Sequence, residues 1–304
     1  NLSPLGLTSA TVPSAVPARR AAASSGQLLA ACRLAWEQGG WLVALWLTDE
    51  RERSRGYCLR VLLQDSEGFT LLEHTMPDGD VQYPDLSGLF PAAGRMQRAA
   101  FDLVGVASEA DDQRPWAWMA SWPIDRFPLR RDFEASPKWE PGQEDYEFVR
   151  VEGDGVHEIP VGPVHAGIIE PGHFRFSVIG EKIFNLEIRM FYKHRGIEKL
   201  AEGKTPDQVL PVAEAISGDE SVANATAYCC AVEKITGTPV PERAWHIRMI
   251  LLELERIQSH LGDQGGMLVD VAFPLGASQF AVLREEVLRM NARLTGSRFL
   301  RGVI

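Results

Sequence analysis

A polar turn, Ser217-Gly218-Asp219-Glu220, places one hydroxyl and two carboxylates within four residues of chain. When such carboxylates are buried their pKa values rise, and they can then take up and release protons near neutral pH. The same residues also suit the start of a helix. Ser217 and Glu220 have the spacing of a capping box, and the helix dipole favours carboxylates in the first turn. A helix N-terminus can also line a site, so both interpretations stay open.

The residues after this turn predict a helix, which should hold the turn in place. Small, mostly apolar residues recur on one predicted helix face: Ala223, Ala227, Cys230 and Ile235. Gly237 can adopt the left-handed conformation that ends a helix, and Pro239 keeps the helix from resuming. A longer helix is predicted over residues 243–262, where the apolar residues have i, i+3, i+4, i+7 spacing: Ile247, Ile250, Leu251, Leu254, Ile257 and Leu261.

Residues that bind metals are present but are not spaced as a metal site. The chain has four cysteines: Cys32, Cys58, Cys229 and Cys230. None of them forms a CxxC pair, and the adjacent Cys229 and Cys230 would point about 100° apart on a helix. We therefore expect buried, reduced thiols. His165, Glu170 and His173 lie close in sequence, but nothing fixes them on one element, and the sequence predicts no metal site.

The composition is that of a globular protein with an acidic surface. The 304 residues are enough for two domains, and 45% hydrophobic with 24% charged residues is ordinary for a globular chain. The net charge of −10 argues against a nucleic-acid partner. No apolar run approaches the ~18–20 residues of a spanning helix, and residues 1–25 lack the apolar core of a secretory signal. We expect residues 1–25 to form a flexible leader.

Hydrophobic periodicity predicts an α+β organisation. A helix over 26–38 and strands over 41–47, 57–63 and 69–72 predict a small α+β domain at 26–134. The Pro- and Gly-bearing segment 135–150 is the predicted linker. The second domain, 151–304, opens with two alternating runs that meet at Gly180-Glu181 and predict a β-hairpin. The helix over 243–262, a Gly-rich connection at 263–277 and a helix over 280–294 follow.

The first domain resembles a known family. Phe90-Pro91 begins a predicted helix that contains Asp102 and Gly105, and Pro128-Leu-Arg-Arg-Asp-Phe133 follows. This order is similar to the small peripheral subunit of complex I, where the helix ends in E-R-E-x-x-D-x-x-G and P-L-R-K-D-F follows. Gln97 and Ala99 stand where that family has acidic residues. The resemblance implies a docking domain that carries no cofactor of its own.

Four stretches of the second domain form a recognisable set of motifs. They are Gly162-Pro163-Val164-His165, the run 170–175 (E-P-G-H-F-R), His194-Arg195-Gly196-Ile197-Glu198-Lys199, and Glu253 with Arg256 and His260. Together they resemble the large subunits of energy-converting [NiFe] hydrogenases, the formate hydrogenlyase type among them, and of complex I. The resemblance implies a β-hairpin that leads into a hydrogenase-type helical bundle. That bundle would be incomplete here, because family members continue through further helices.

Aligned with this family, the polar turn has lost its metal ligands. Ser217, Glu220 and Asn224 stand where hydrogenases have Cys, Cys and His. The resemblance therefore implies a site without Ni–Fe, lined by these three residues together with His165, Asp219 and Glu198. It places His260 beside an iron–sulfur cluster of a partner subunit. Gly218 occupies the position of the quinone-contacting Tyr of complex I, and quinone stays open as a ligand.

These features lead to one preferred hypothesis and two others. The chain would be a subunit of a membrane-associated NADH dehydrogenase- or hydrogenase-like complex, inactive alone, that couples a partner's iron–sulfur cluster to proton movement. Its partners would be an iron–sulfur small subunit and membrane subunits, and it would lie on the cytoplasmic face of the cell membrane. The alternatives are a non-catalytic scaffold that docks redox partners and an authentic [NiFe] hydrogenase.

Overall fold

The computed structural model of the protein describes residues 5–13, 16–79, 82–119, 121–134, 140, 142, 146–165 and 170–304. The chain divides into two compact units, Asn1–Glu147 and Phe148–Ile304. The division falls inside the segment 135–150 that the sequence marks as a linker. Of that segment, residues 135–139, 141 and 143–145 lie outside the described residues. Each unit combines helices with β-sheet, so the α+β class is confirmed.

Unit 1 is built on a mixed five-stranded sheet. Along the chain, one helix precedes the sheet's consecutive antiparallel strands and another follows them. Its main elements are β1 (Ser9–Thr11), β2 (Ala18–Ala22), α1 (Ser25–Glu37), β3 (Trp41–Asp49), β4 (Tyr57–Asp65), β5 (Gly68–Met76), β6 (Gln82–Tyr83), α2 (Ala93–Val104) and β7 (Ala107–Ser108). The strand order is β1-β2-β5-β4-β3, and the β2–β5 pair is the parallel one. The two-residue strands β6 and β7 form a separate parallel pair.

Alternating apolar residues of β3, β4 and β5 build the core of unit 1, as the sequence predicts. Leu45, Leu59, Val61 and Leu72 are all buried, and α1 adds Leu28. The N-terminus of α1 is closed by a capping box, because Ser24 Oγ accepts the Gln27 N–H (3.4 Å) and Gln27 Oε1 accepts the Ser24 N–H (3.0 Å). Periodicity and capping therefore agree for these elements.

The expectation of a flexible leader over 1–25 is wrong for residues 9–11 and 18–22, which form β1 and β2 in the sheet. β2 pairs in parallel with β5, and Arg19 Nε donates to Thr70 Oγ1 (2.9 Å). Ala21 is buried against the core, so the strand contributes small side chains rather than large apolar ones. The Ala-rich composition hid this strand, because it lacks the β-branched and aromatic residues that mark strands in a sequence.

Two buried polar residues of α2 organise the loops around it. The Gln97 side chain accepts the Leu86 N–H (2.8 Å) and donates to Asp85 Oδ1 (2.8 Å) and to Ser108 Oγ (3.2 Å). Asp102 accepts the backbone N–H groups of residues 116 and 117 at 2.7 and 2.8 Å. An amide at position 97 suits its surroundings, since its neighbour Asp85 is itself an acceptor.

Unit 2 joins a three-stranded antiparallel sheet to a set of helices. Its elements are β8 (Val156–Val161), β9 (His173–Ile179), β10 (Lys182–Arg189), α3 (Ile197–Ala201), α4 (Pro206–Glu214), α5 (Ser221–Thr236), α6 (Glu242–Asp270) and α7 (Pro274–Thr295). The strand order is β10-β9-β8, and the predicted hairpin is β9–β10. Among the helices, α4 packs on α5, and α6 packs on both α5 and α7.

The helix α6 is longer than the sequence predicts. It continues past Gly262 to Asp270, through more than half of the predicted Gly-rich connection, and α7 begins at Pro274. Gly265 lies against α7, where a Cβ built on it would be 3.6 Å from the Phe280 Cβ. Packing along this helix pair therefore outweighs the low helix propensity of glycine. By contrast, α5 ends as predicted, at Gly237 in the left-handed conformation (φ +66°).

One face of the β8–β9–β10 sheet presents apolar side chains in two cross-strand rows. The register aligns Ile159 with Phe176 and Leu186, and Val161 with Phe174 and Ile188. The residues of β8 and β10 in these rows are 38–50% exposed. Cross-strand apolar rows of this kind usually face another protein layer. Among the described residues, no helix is long and apolar enough to cross a membrane.

Candidate functional site

The polar turn 217–220 connects α4 to α5, but it does not form the predicted capping box. α5 begins at Ser221, and Glu220 precedes it with φ −127° and ψ 41°, outside the usual cap conformation. Neither Ser217 nor Glu220 caps α5 with its side chain; within the turn, the Glu220 N–H donates to the Ser217 carbonyl oxygen (3.2 Å). The prediction is wrong because a carboxylate from another helix already occupies the N-terminus of α5.

Glu255 of α6 is the residue that caps α5. Its Oε1 accepts the N–H of Val222 (2.7 Å), and its Oε2 accepts the N–H of Ala223 (2.9 Å). The Glu255 residue is only 4% exposed. Burial and repulsion from Glu220 and Asp219 raise the pKa of Glu255, although the two amide hydrogen bonds oppose the rise. Sequence reasoning missed this residue.

The other end of the turn is held by an arginine. Arg195 Nη2 donates to the carbonyl oxygens of Ala215 and Ile216, both at 2.6 Å, where the chain leaves α4. The sequence singled out Arg195 as part of the family motif at 194–199, without this contact. Gly218 lies near a second cation, since a Cβ built on it would be 3.6 Å from Arg301 Nη2. The turn is therefore bounded by fixed charges of both signs.

Within the turn the predicted site residues differ in exposure. Gly218, Asp219 and Glu220 are exposed, whereas Ser217 and Asn224 are partly buried. The Asn224 N–H donates to the Glu220 carbonyl oxygen (3.0 Å), so Asn224 lies one helical turn beyond Glu220. In the described part of the chain, the buried Asn224 Nδ2 has no hydrogen-bond partner. The arrangement offers oxygen and amide groups that can bind protons or polar ligands.

His165 and His173 lie at opposite ends of the loop between β8 and β9, and each contacts a backbone carbonyl oxygen at the other end. His165 Nε2 lies 2.8 Å from the Gly172 carbonyl oxygen, and His173 Nδ1 lies 3.2 Å from the Gly162 carbonyl oxygen. Residues 166–169 of this loop lie outside the described residues. Glu170 forms an ion pair with Lys193. In the parts of the chain that the structure describes, no three His, Cys, Asp or Glu side chains are placed to hold a metal ion.

Glu198 and His260 lie on other elements. Glu198 is exposed on the short helix α3, and His260 is exposed on α6. No hydrogen bond or ion pair among the described residues joins His165, Glu198 or His260 to the turn. The structure therefore brings Ser217, Gly218, Asp219, Glu220 and Asn224 together and leaves the assignment of the other three as a prediction.

The position of Glu255, one helical turn after the buried Leu251, was the signal that could have revealed it. It follows Leu251 by four residues and precedes Gln258 by three, and these three are the buried residues of α6. A carboxylate on a buried helix face has to find hydrogen-bond donors on the element that covers it. Here the donors are the free N–H groups at the start of α5.

Comparisons with known proteins agree with the motifs. Residues 22–138 match the family model described as the respiratory-chain NADH dehydrogenase 30 kDa subunit. Formate hydrogenlyase subunit 5 of Escherichia coli is 36% identical over 279 residues, which cover 89% of this chain and 49% of that protein. Hydrogenase-4 component G of Escherichia coli is 35% identical over 278 residues, covering 89% of this chain and 50% of that protein.

A further similarity connects the chain to NADH-quinone oxidoreductases. The NADH-quinone oxidoreductase of Dehalococcoides mccartyi has a subunit that is 43% identical over 145 residues, 45% of this chain and 38% of that protein. The chain spans about half the length of the hydrogenase relatives. The resemblance inferred from the motifs is confirmed: the chain is related to the subunits of hydrogenases and of complex I, and residues 22–138 match the 30 kDa family model.

Proposed function

We propose that the chain is a subunit of a membrane-associated redox complex related to hydrogenases and complex I. In this role it lines a polar pocket beside an iron–sulfur cluster held by a partner subunit, and it couples electron transfer to proton movement. The observation that carries the proposal is the turn 217–220 on a chain related to hydrogenase subunits, because this turn keeps a defined shape but presents oxygen groups.

The side chains of this turn do not fit a Ni–Fe centre. Ser217 and Glu220 offer a hydroxyl and a carboxylate, whereas a soft, low-potential metal centre needs thiolates. The cysteines do not compensate, since Cys32 and Cys58 are buried in unit 1 and Cys229 and Cys230 lie in the second half of α5. We infer that no Ni–Fe centre is bound at this turn and that the chain contributes to proton transfer.

The proton-handling groups of the proposal are the carboxylates of Asp219 and Glu220, with Ser217 and Asn224 as hydrogen-bonding neighbours. The two carboxylates are exposed in this chain, so the proposal requires that a partner subunit covers them in the assembled complex. Glu198 and His165 are proposed to line the same pocket in the assembled complex, and Gly218 leaves room there for a ligand such as quinone. These placements rest on the family resemblance.

His260 is proposed to face the partner's cluster. It is exposed on α6, as a residue that meets a neighbouring subunit has to be. An imidazole beside a cluster can bind a proton when the cluster is reduced, because its pKa lies near neutral. The further partners are an iron–sulfur small subunit and membrane subunits, which would hold the chain at the cytoplasmic face of the cell membrane. The exposed apolar rows of the β8–β9–β10 sheet support a subunit role.

Measuring the cluster's potential in the purified complex tests the proposal. The midpoint potential of a cluster that binds one proton on reduction changes by about 59 mV per pH unit. We expect this slope in the native complex and its loss in His260→Ala. His246→Ala is the matched control, because His246 is exposed on the same helix about 21 Å away at 1.5 Å per residue. Stoichiometric nickel in the complex, or an unchanged slope in His260→Ala, would overturn the proposal; the second result would favour a scaffold.

A further inference from the structure

The main chain around the turn 217–220 is held by side chains that lie outside the turn. Glu255 binds the N–H groups that follow it, and Arg195 binds the carbonyl groups that precede it. Each charge has the sign that the nearby helix end favours, because a helix N-terminus carries partial positive charge and a C-terminus partial negative charge. Neither residue belongs to the turn itself.

We propose that Glu255 is a positioning residue for the turn: its carboxylate fixes the first turn of α5 and thereby sets the main-chain path of residues 217–220. The inference rests on the proposed function only in treating this turn as the site. Glu255 would touch no ligand, and its effect would pass through the N–H groups of Val222 and Ala223.

The geometry makes this contact hard to replace. Each carboxylate oxygen accepts one N–H, at 2.7 and 2.9 Å, so both acceptors are used. Val222 is fully buried, and without Glu255 its N–H would lose its partner in a place that water does not reach. The turn's own side chains do not cap α5, so no second acceptor from Ser217 or Glu220 is in place.

The contact also depends on charge. A neutral amide at position 255 has one oxygen, so it could accept one N–H while its NH2 group faced the other donor. Protonation of Glu255 converts one acceptor into a donor in the same way. The charged groups that act on Glu255 are the carboxylates of Asp219 and Glu220, which disfavour its ionisation. The start of α5 should therefore loosen as the pH falls and Glu255 takes up a proton.

Amide hydrogen exchange on the full chain, resolved by residue, tests the proposal. In Glu255→Gln we expect the N–H of Val222 or Ala223 to exchange about tenfold faster or more, the effect of losing one charge-assisted hydrogen bond. Amides of α7 should keep their native rates. Glu253→Gln is the matched control, because Glu253 is exposed on the same helix, where it pairs with Arg256 (3.6 Å).

A pH series separates positioning from simple packing. In the native chain, the protection factors of Val222 and Ala223 should fall as Glu255 is protonated, whereas Glu255→Gln should show no such pH dependence. Native rates at both amides in Glu255→Gln, or an equal loss of protection across α5, α6 and α7, would overturn the proposal. If Glu255→Ala does not fold, the near-isosteric Gln variant still decides. Exchange needs no electron transfer, so this test can fail while the cluster measurement succeeds, and the reverse.

Discussion

Replacing Gln97 by glutamate tests whether the buried network of α2 depends on a neutral amide. Gln97 is 2% exposed, its Oε1 accepts the Leu86 N–H, and its Nε2 donates to Asp85 Oδ1 at 2.8 Å. The Gln97→Glu variant keeps the first contact but places two carboxylate oxygens at hydrogen-bond distance. Two carboxylates this close cannot both stay ionised, so one of them must bind a proton.

The cost of that proton sets the magnitude. Keeping a carboxyl with an ordinary pKa of about 4.3 protonated at pH 7 costs about 3.7 kcal/mol, at about 1.36 kcal/mol per pKa unit. Although burial alone would raise it, the pKa of the native Asp85 is lowered by hydrogen bonds from Gln97 and Ser87. In the variant the folded-state pKa is raised instead. The loss of stability is therefore absent near pH 4 and grows by about 1.4 kcal/mol per pH unit above it, to about 3–4 kcal/mol at pH 7.

Urea unfolding followed by tryptophan fluorescence measures this loss of stability in unit 1, where Gln97 lies. Trp245 is the one tryptophan beyond residue 147, so the other seven of the eight lie in unit 1. Gln82→Glu is the control, because Gln82 is exposed in the same unit and its replacement should change stability little at any pH. A Gln97→Glu variant that is equally destabilised at pH 4.5 and pH 7.5 would refute the reasoning, since an uncharged packing defect has no such pH dependence.

Three further outcomes follow from individual contacts. Although burial alone would raise it, the pKa of Asp49 is lowered to about 2 by hydrogen bonds from Arg51. Asp49 therefore stabilises unit 1 above its unfolded pKa of about 3.9, and this contribution disappears as the pH falls toward 2. The acid unfolding of Asp49→Asn should lack this pH-dependent contribution, which is worth roughly 2–3 kcal/mol. Burial raises the pKa of Cys32 to about 12, so a maleimide at pH 8 should label the half-buried Cys230 and leave Cys32 unlabelled, as mass spectrometry of the peptides would show. Leu251→Ala should cost about 2–5 kcal/mol in unit 2, measured by thermal unfolding followed by far-UV circular dichroism, to which the long helices α5, α6 and α7 of this unit contribute most.

Much of the fold could be predicted, because local periodicity and tertiary packing agree. The strands β3, β4 and β5 and the helix α1 combine large apolar residues with clear spacing, and the structure places them as expected. The parallel strand β2 was missed because alanines fill its core positions, which leaves no hydrophobic signal. The end of α6 was placed too early because contact with α7, which the sequence does not display, holds Gly265 in a helix.

The contacts that support the turn 217–220 could not be predicted from the sequence, and the role of this turn as a site stays a prediction. Ser217 and Glu220 have the spacing of a capping box, and this local rule assigned the cap of α5 to the wrong residues. The true cap, Glu255, comes from another helix, and local rules do not reach across a tertiary contact. Its place on a buried helix face was the available sign. For His260, which we propose to act between subunits, a single chain shows only its exposure.

The hydrogen bonds to the main chain around 217–220 have a consequence for how the sequence of this turn can change in evolution. In the part of the chain that the structure describes, the hydrogen bonds of the Arg195 and Glu255 side chains go to peptide groups, so these bonds make no demand on which side chains the turn carries. A lineage could exchange thiols for oxygen groups there, or add further polar residues, and the loop would still follow the same route. Redesign of this turn should accordingly be tolerated as long as the two outside residues are left alone.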